Sequence, residues 1–98
     1  MSAPEEVAAH FAVPAEHPAL PGHFPGRPIV PGVLLLDAVM QAAGLGEGRL
    51  LRAKFLAPVL SGDPVEILLA RRAPDRIGFA CRCRGATVLT GEFACPSR

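Results

Sequence analysis

PGHFPGRPIVPGVLLLDAVMQ, residues 21–41, is the stretch that decides the fold of this 98-residue chain. It joins a loop rich in proline and glycine to an almost wholly apolar segment, and Pro31-Gly32 marks the join. A proline just ahead of an apolar run is a helix-start signal. The segment therefore predicts a helix over 33–44, which ends where three glycines occur within residues 44–48.

The predicted helix carries apolar residues on every face, interrupted only by Asp37 and Gln41. A helix that is apolar all round is buried rather than lying on a surface. Because about eleven residues cannot cross a bilayer, the burial must be within protein. We therefore expect a buried helix.

Asp37 and Gln41 are four residues apart and share one face of that helix. A carboxylate in apolar surroundings is costly unless it is hydrogen-bonded, neutralised or paired, and desolvation favours its protonated form. Such a group suits proton transfer, but a buried aspartate that only ties down a loop fits the helix equally well.

The loop before the helix contains a single histidine, His23. Six prolines lie between residues 14 and 31, and they exclude both a helix and a central strand there. Gly22 and Gly26 flank the histidine and permit close approach of the backbone to a ligand. A lone histidine is usually structural or exposed, whereas this one lies in a rigid loop close to a predicted buried acid.

Residues 22–41 resemble the signature of the 3-hydroxyacyl-acyl-carrier-protein dehydratases, and KFLAPVLSGD at residues 54–63 is similar to the segment that follows the helix in that family. The resemblance implies the hotdog fold, an antiparallel sheet wrapped around one long buried helix. It also implies a homodimer or a higher homo-oligomer, with active sites at the dimer interface.

By that resemblance His23 is the base at Cα, and the ordinary pKa of histidine near neutrality suits this task. Asp37 of the other protomer protonates the leaving hydroxyl, directly or through a water, and the backbone N–H of Gly32 polarises the thioester carbonyl. The implied substrate-binding residues are Phe24, Val33 and Gln41, with Gln41 orienting Asp37. Leu34, Leu35 and Met40 would line an acyl slot or simply pack in the core.

The implied reaction is dehydration of 3-hydroxyacyl-acyl-carrier-protein thioesters to trans-2-enoyl thioesters, in fatty acid, polyketide or aryl-polyene-type biosynthesis. The acyl group would arrive on the phosphopantetheine of an acyl carrier protein, with no metal or redox cofactor. Asp37 departs from the larger branch of the family, which has glutamate there. The alternatives are an acyl thioesterase and a non-catalytic acyl-carrier-binding hotdog subunit.

Composition predicts one domain over residues 1–98, because half the residues are hydrophobic and 19% are charged. So apolar a small chain is expected to bury further surface by self-association. Residues 49–84 hold eight basic and three acidic residues, a net charge of +5. This segment is either a set of ordinary solvated strand faces or a docking surface for an acidic partner such as an acyl carrier protein. Nothing indicates a nucleic-acid partner.

The rest of the chain predicts strands at 5–13, 49–57, 64–73, 76–84 and 87–95, with turns at 61–64, 73–75 and 84–86. Residues 76–84 alternate, with Ile77, Phe79, Cys81 and Cys83 on a core face and Arg76, Gly78, Ala80, Arg82 and Arg84 on a wet one. This alternation indicates an antiparallel sheet, and a helix against it gives an α+β fold.

A cytoplasmic location is expected. Acidic residues within the first ten positions argue against a signal peptide, and no segment is long enough for a membrane-spanning helix. Cys81 and Cys83 lack the two-residue gap of a redox or zinc pair and are interpreted as small core residues. His10, His17 and His23 have no metal-ligand spacing, so no metal site is predicted.

Overall fold

The computed structural model describes residues 6–14, 29–44 and 48–95. Within these ranges the chain forms β1 (Glu6–Phe11), α1 (Gly32–Ala43), β2 (Arg49–Phe55), β3 (Val65–Ala73), β4 (Arg76–Cys83) and β5 (Ala86–Ala94). The predicted elements are confirmed, and each boundary falls within about two residues of its predicted position. Gly44 ends α1 in the left-handed conformation, with φ of 70°.

The five strands of the described residues form one antiparallel sheet in the order β1-β3-β4-β5-β2. Tight turns join β3 to β4 and β4 to β5, which places these three strands in the centre. Helix α1 lies between the two edge strands in the chain and packs against the sheet. The prediction of an α+β fold with an antiparallel sheet is therefore confirmed.

The core lies between α1 and the inner face of the sheet. Phe79 and Phe93 stack with their ring centroids 4.9 Å apart, and Cys81 beside them is fully buried. Burial raises the pKa of the Cys81 thiol to about 11, so it remains protonated at neutral pH. The prediction that alternate residues of β4 face the core is confirmed for this group, although Cys83 is only half-buried.

The prediction of a long buried helix is not confirmed in this chain. Helix α1 has 12 residues, and only Leu35 and Val39 are fully buried. The sheet covers a single stripe of the helix, so the opposite stripe is exposed in the chain. No helix in the described residues is long and apolar enough to cross a membrane.

The outer face of β4 also differs from the prediction, because Gly78 and Ala80 are buried rather than wet. Arg72 of the neighbouring strand lies directly over Gly78, where a side chain would collide with its guanidinium. Ala80 pairs with Leu68 of β3, which is itself buried. Long side chains on neighbouring strands therefore cover short ones, an effect that alternation within one strand does not predict.

Gly91 of β5 leaves the space into which the ring of Phe79 fits. A Cβ at this position would overlap the ring of Phe79 and the carbonyl oxygen of Arg52. We therefore expect Gly91→Ala to lower the free energy of unfolding by about 1–3 kcal/mol. Urea denaturation measures the change, with Thr90→Ala as the control on the same strand. Equal midpoints for Gly91→Ala and wild type would contradict the close packing.

Candidate active site

Three of the predicted site residues lie on one exposed stripe of α1. Val33, Asp37 and Gln41 follow one another at four-residue spacing, and all three are exposed. The side-chain amide of Gln41 donates a hydrogen bond of 2.9 Å from Nε2 to Oδ2 of Asp37. The prediction that Asp37 and Gln41 share a face is confirmed by this contact, and the role of Gln41 in orienting the carboxylate stays a prediction.

The expectation that Asp37 is sheltered does not hold within one chain. Its side chain lies on the stripe opposite Leu35 and Val39, which face the sheet. A carboxylate in this position is open to water and to any surface that covers the stripe. Apolar surroundings for Asp37 would therefore have to come from outside the described part of this chain.

Gly32 begins α1 with the ring of Phe55 packed against it. A Cβ on Gly32 would lie 2.6 Å from Cζ of Phe55, closer than a normal contact allows. The first turn of the helix contains no acidic residue, and Pro31 supplies no side-chain cap. The partial positive charge of this helix end is therefore not offset by a carboxylate of that turn, which suits a developing negative charge on oxygen.

Exposed apolar side chains surround the start of the helix. Ile29 is 62% exposed, Val33 69%, Phe55 51% and Leu56 48%. We call these four residues the apolar patch. Phe55 was not among the predicted site residues. An aromatic residue at the end of β2 was the available signal, but its contact with Gly32 joins residues that are far apart in the sequence.

The five remaining predicted positions fall into two groups. His23 and Phe24 lie outside the described residues. Leu35 is buried against the sheet, and Leu34 and Met40 are half-buried and also pack against the core. Core packing therefore accounts for Leu35, the residue of the three that is fully buried.

Several charges of the basic segment 49–84 are paired within the sheet. Glu66 lies 3.6 Å from both His10 and Arg82, and Arg52 lies 3.7 Å from Glu92. The exposed basic residues of the segment also include Arg49, Lys54, Arg71, Arg72 and Arg76. Both interpretations of the segment, a solvated face and a docking surface, are compatible with this arrangement. Among residues 6–14, 29–44 and 48–95, no group of three or more metal-ligating side chains could hold a metal ion.

Solved structures share this architecture. A chain of the dehydratase heterocomplex ApeI:P from Xenorhabdus doucetiae superimposes with a TM-score of 0.72 and 20% sequence identity, covering 98% of this chain and 97% of that one. An uncharacterised protein from Erwinia carotovora subsp. atroseptica gives a TM-score of 0.71 at 25% identity, covering 87% of this chain and 77% of that one. The antiparallel sheet with one short helix on its inner face is thus a fold that this chain shares with both solved structures.

Sequence comparison agrees with the fold. The family model of the ApeI-like dehydratases, described as ApeI dehydratase, matches residues 1–92. The 3-hydroxyacyl-acyl-carrier-protein dehydratase FabZ of Haemophilus influenzae (strain PittEE) is 36% identical over 100 residues, and that of Proteus mirabilis (strain HI4320) is 40% identical over 93. These matches cover 88% and 80% of this chain. The chain belongs to the ApeI-like dehydratase family, and the suspected family is confirmed. It spans 66% and 61% of the two relatives, just under two thirds.

The contact between Gly32 and Phe55 yields a test of the local packing. We expect Gly32→Ala to lower the free energy of unfolding by about 1–3 kcal/mol, because the added methyl group displaces the ring. In a Phe55→Ala background the same substitution should be neutral or slightly stabilising, since alanine favours helix. A double-mutant cycle by chemical denaturation measures the coupling. Additive effects would contradict the contact.

Proposed function

We propose that this chain dehydrates 3-hydroxyacyl thioesters carried on an acyl carrier protein, giving trans-2-enoyl thioesters. The observation that carries the proposal is the exposed stripe of α1, where Gln41 holds the carboxylate of Asp37. This stripe begins next to a helix end whose first turn bears no acid. Membership of a dehydratase family supports the same reaction.

The elimination requires three groups. His23 removes the proton from Cα, Asp37 protonates the departing hydroxyl, and the N–H of Gly32 stabilises negative charge on the thioester oxygen. Gln41 keeps Asp37 in one orientation through its 2.9 Å hydrogen bond. Phe24 and Val33 contact the acyl chain in this proposal. The support is that Gly32 begins the helix on which Asp37 and Gln41 are hydrogen-bonded, while His23 rests on the sequence motif.

The reaction transfers protons and expels water without a change of oxidation state, so it needs neither a metal nor a redox cofactor. The substrate would enter on a phosphopantetheine arm. The exposed basic residues of segment 49–84 offer a surface of opposite charge to an acidic carrier protein. We place the reaction in the cytoplasm, within a single domain over residues 1–98.

We further propose that the site is completed by a second copy of the chain. The exposed stripe of α1 and the apolar patch adjoin each other through Val33, which belongs to both. Burying such a surface is favourable at about 25 cal/mol per Å² of apolar area. A protomer that covers this face would shelter Asp37, as the chemistry requires.

A second candidate for the partner is a different hotdog-like chain. The solved neighbour from Xenorhabdus doucetiae is part of a dehydratase heterocomplex, so that protein works with a non-identical partner. The same uncovered stripe of α1 would serve either partner. Sedimentation analysis and activity of the purified chain alone separate the two cases, because a chain that needs a foreign partner would be monomeric and inactive.

Substitution of the two proposed proton-transfer groups tests the reaction. The wild type should hydrate a 2-enoyl carrier-protein thioester, the reverse reaction, and His23→Ala and Asp37→Asn should each lower its rate about 100-fold or more. Loss of absorbance of the conjugated enoyl thioester measures hydration. His10→Ala and Asp75→Asn, at exposed positions, are the matched controls.

Two results would overturn the dehydratase assignment. Thiol release without hydration would indicate a thioesterase. An inactive wild type, tested across chain lengths as a confirmed dimer, would favour a non-catalytic carrier-binding subunit.

Subunit mixing tests whether two protomers share each site. If His23 and Asp37 of different protomers meet, a dimer of one His23→Ala and one Asp37→Asn chain has one intact site. Unfolding the two inactive variants together and refolding them should restore about one quarter of wild-type activity, because half of the dimers are mixed. His23→Ala refolded with the double variant should stay inactive. No recovery in the first mixture, with mixed dimers demonstrated, would contradict the shared site.

A further inference from the structure

A buried aspartate fixes the turn that precedes β3. The side chain of Asp63 is only 8% exposed, and its Oδ1 accepts a 2.8 Å hydrogen bond from Nη1 of Arg84. Its other oxygen, Oδ2, accepts a 3.0 Å hydrogen bond from the backbone N–H of Leu60. The backbone N–H of Asp63 also donates to the carbonyl oxygen of Leu60 at 3.1 Å. One carboxylate thus closes residues 60–63 and ties them to the β4–β5 hairpin.

This turn and Val59, the residue before it, hold two other segments of the chain by their backbones. The N–H of Gly62 donates to the carbonyl oxygen of Val13 at 2.8 Å, just after β1. The N–H of Val30 donates to the carbonyl oxygen of Val59 at 2.7 Å, two residues before α1 begins. Val13 and Val30 are both buried. The turn therefore fixes the chain on either side of residues 15–28 and also the approach to Gly32.

Arg84 has a backbone conformation that is unfavourable for arginine. Its φ is 52° and that of Gly85 is 83°, the pattern of a type I′ hairpin turn that favours asparagine or glycine first. A long side chain with positive φ is strained. The contact with Asp63 explains why arginine is present at this position. The hydrogen bond to Asp63 and the negative charge of that carboxylate raise the pKa of Arg84.

We propose that Asp63 and Arg84 are positioning residues for the active site. Their ion pair holds the turn at residues 60–63, and the turn holds the segment that leads into Gly32 and the two ends of the stretch that contains His23. The pair makes no contact with the substrate. The pair acts indirectly, by fixing the positions at which two segments of the proposed site start and end. The rate of proton transfer is sensitive to such positions. This inference rests on the proposed dehydratase function.

Arg84→Asn gives a sharp test, because Asn-Gly is the preferred sequence for this turn. The variant should keep or raise the stability of the hairpin. The asparagine side chain, however, is too short to reach Asp63 as the guanidinium of Arg84 does. We expect kcat for a 2-enoyl pantetheine thioester, which has no carrier protein, to fall about 10- to 100-fold with little change in KM. Arg84→Lys, which retains a positive charge, should recover part of that loss. Glu92→Gln removes the Arg52–Glu92 pair on β5 and should leave kcat unchanged.

Amide hydrogen exchange supplies a readout that does not depend on activity. Protection at the N–H groups of Val30, Leu60 and Gly62 should fall in Arg84→Asn, while the amides of β4 and β5 outside the turn keep theirs. Unchanged protection at these three amides would overturn the inference. Lost protection with an unchanged kcat would overturn the positioning role. If the wild type were inactive, the dehydratase proposal would fail, and the exchange data alone would decide whether the pair holds the two segments.

Discussion

The packing of one stripe of α1 on the inner face of the sheet is the contact on which the rest of the structure depends. Leu35 and Val39 supply that stripe, and they belong to the same buried apolar cluster as the stacked rings of Phe79 and Phe93. The absence of a side chain at Gly91 makes room for one of those rings. Because the helix is buried on this side only, its opposite stripe carries the acid outward.

The two aspartates of the site region show how surroundings separate a structural role from a chemical one. Asp63 is buried, and its two oxygens accept hydrogen bonds from the guanidinium of Arg84 and the backbone N–H of Leu60. Its carboxylate therefore has a structural role. Asp37 is exposed and accepts a hydrogen bond from the neutral amide of Gln41 on the same helix. Within residues 6–14, 29–44 and 48–95 no cation pairs with Asp37, so its carboxylate is available for the proton transfer that we propose. Asp37, and not Asp63, is therefore the acid in the proposed reaction.

Local sequence signals predicted the elements and much of the core. Glycine and proline mark the ends of the helix and the turns, and alternation along β4 identifies its core face, because both signals act within a few residues. Three features escaped prediction: the ring of Phe55 on Gly32, the guanidinium of Arg72 over Gly78, and the ion pair between Asp63 and Arg84. Each joins residues that only the pairing of strands or the packing of the helix brings together.

By itself the sequence determined the order of the elements, the antiparallel sheet, the dehydratase family and the common helix face of Asp37 and Gln41. These follow from periodicity, turn residues and a motif, all of which are properties of neighbouring positions. Only the tertiary structure decided which side of α1 is covered. The helix has apolar residues on every face, so the sequence pattern does not indicate which face packs on the sheet. The sheet covers Leu35 and Val39, and for that reason Asp37 faces outward, toward whatever surface completes the site.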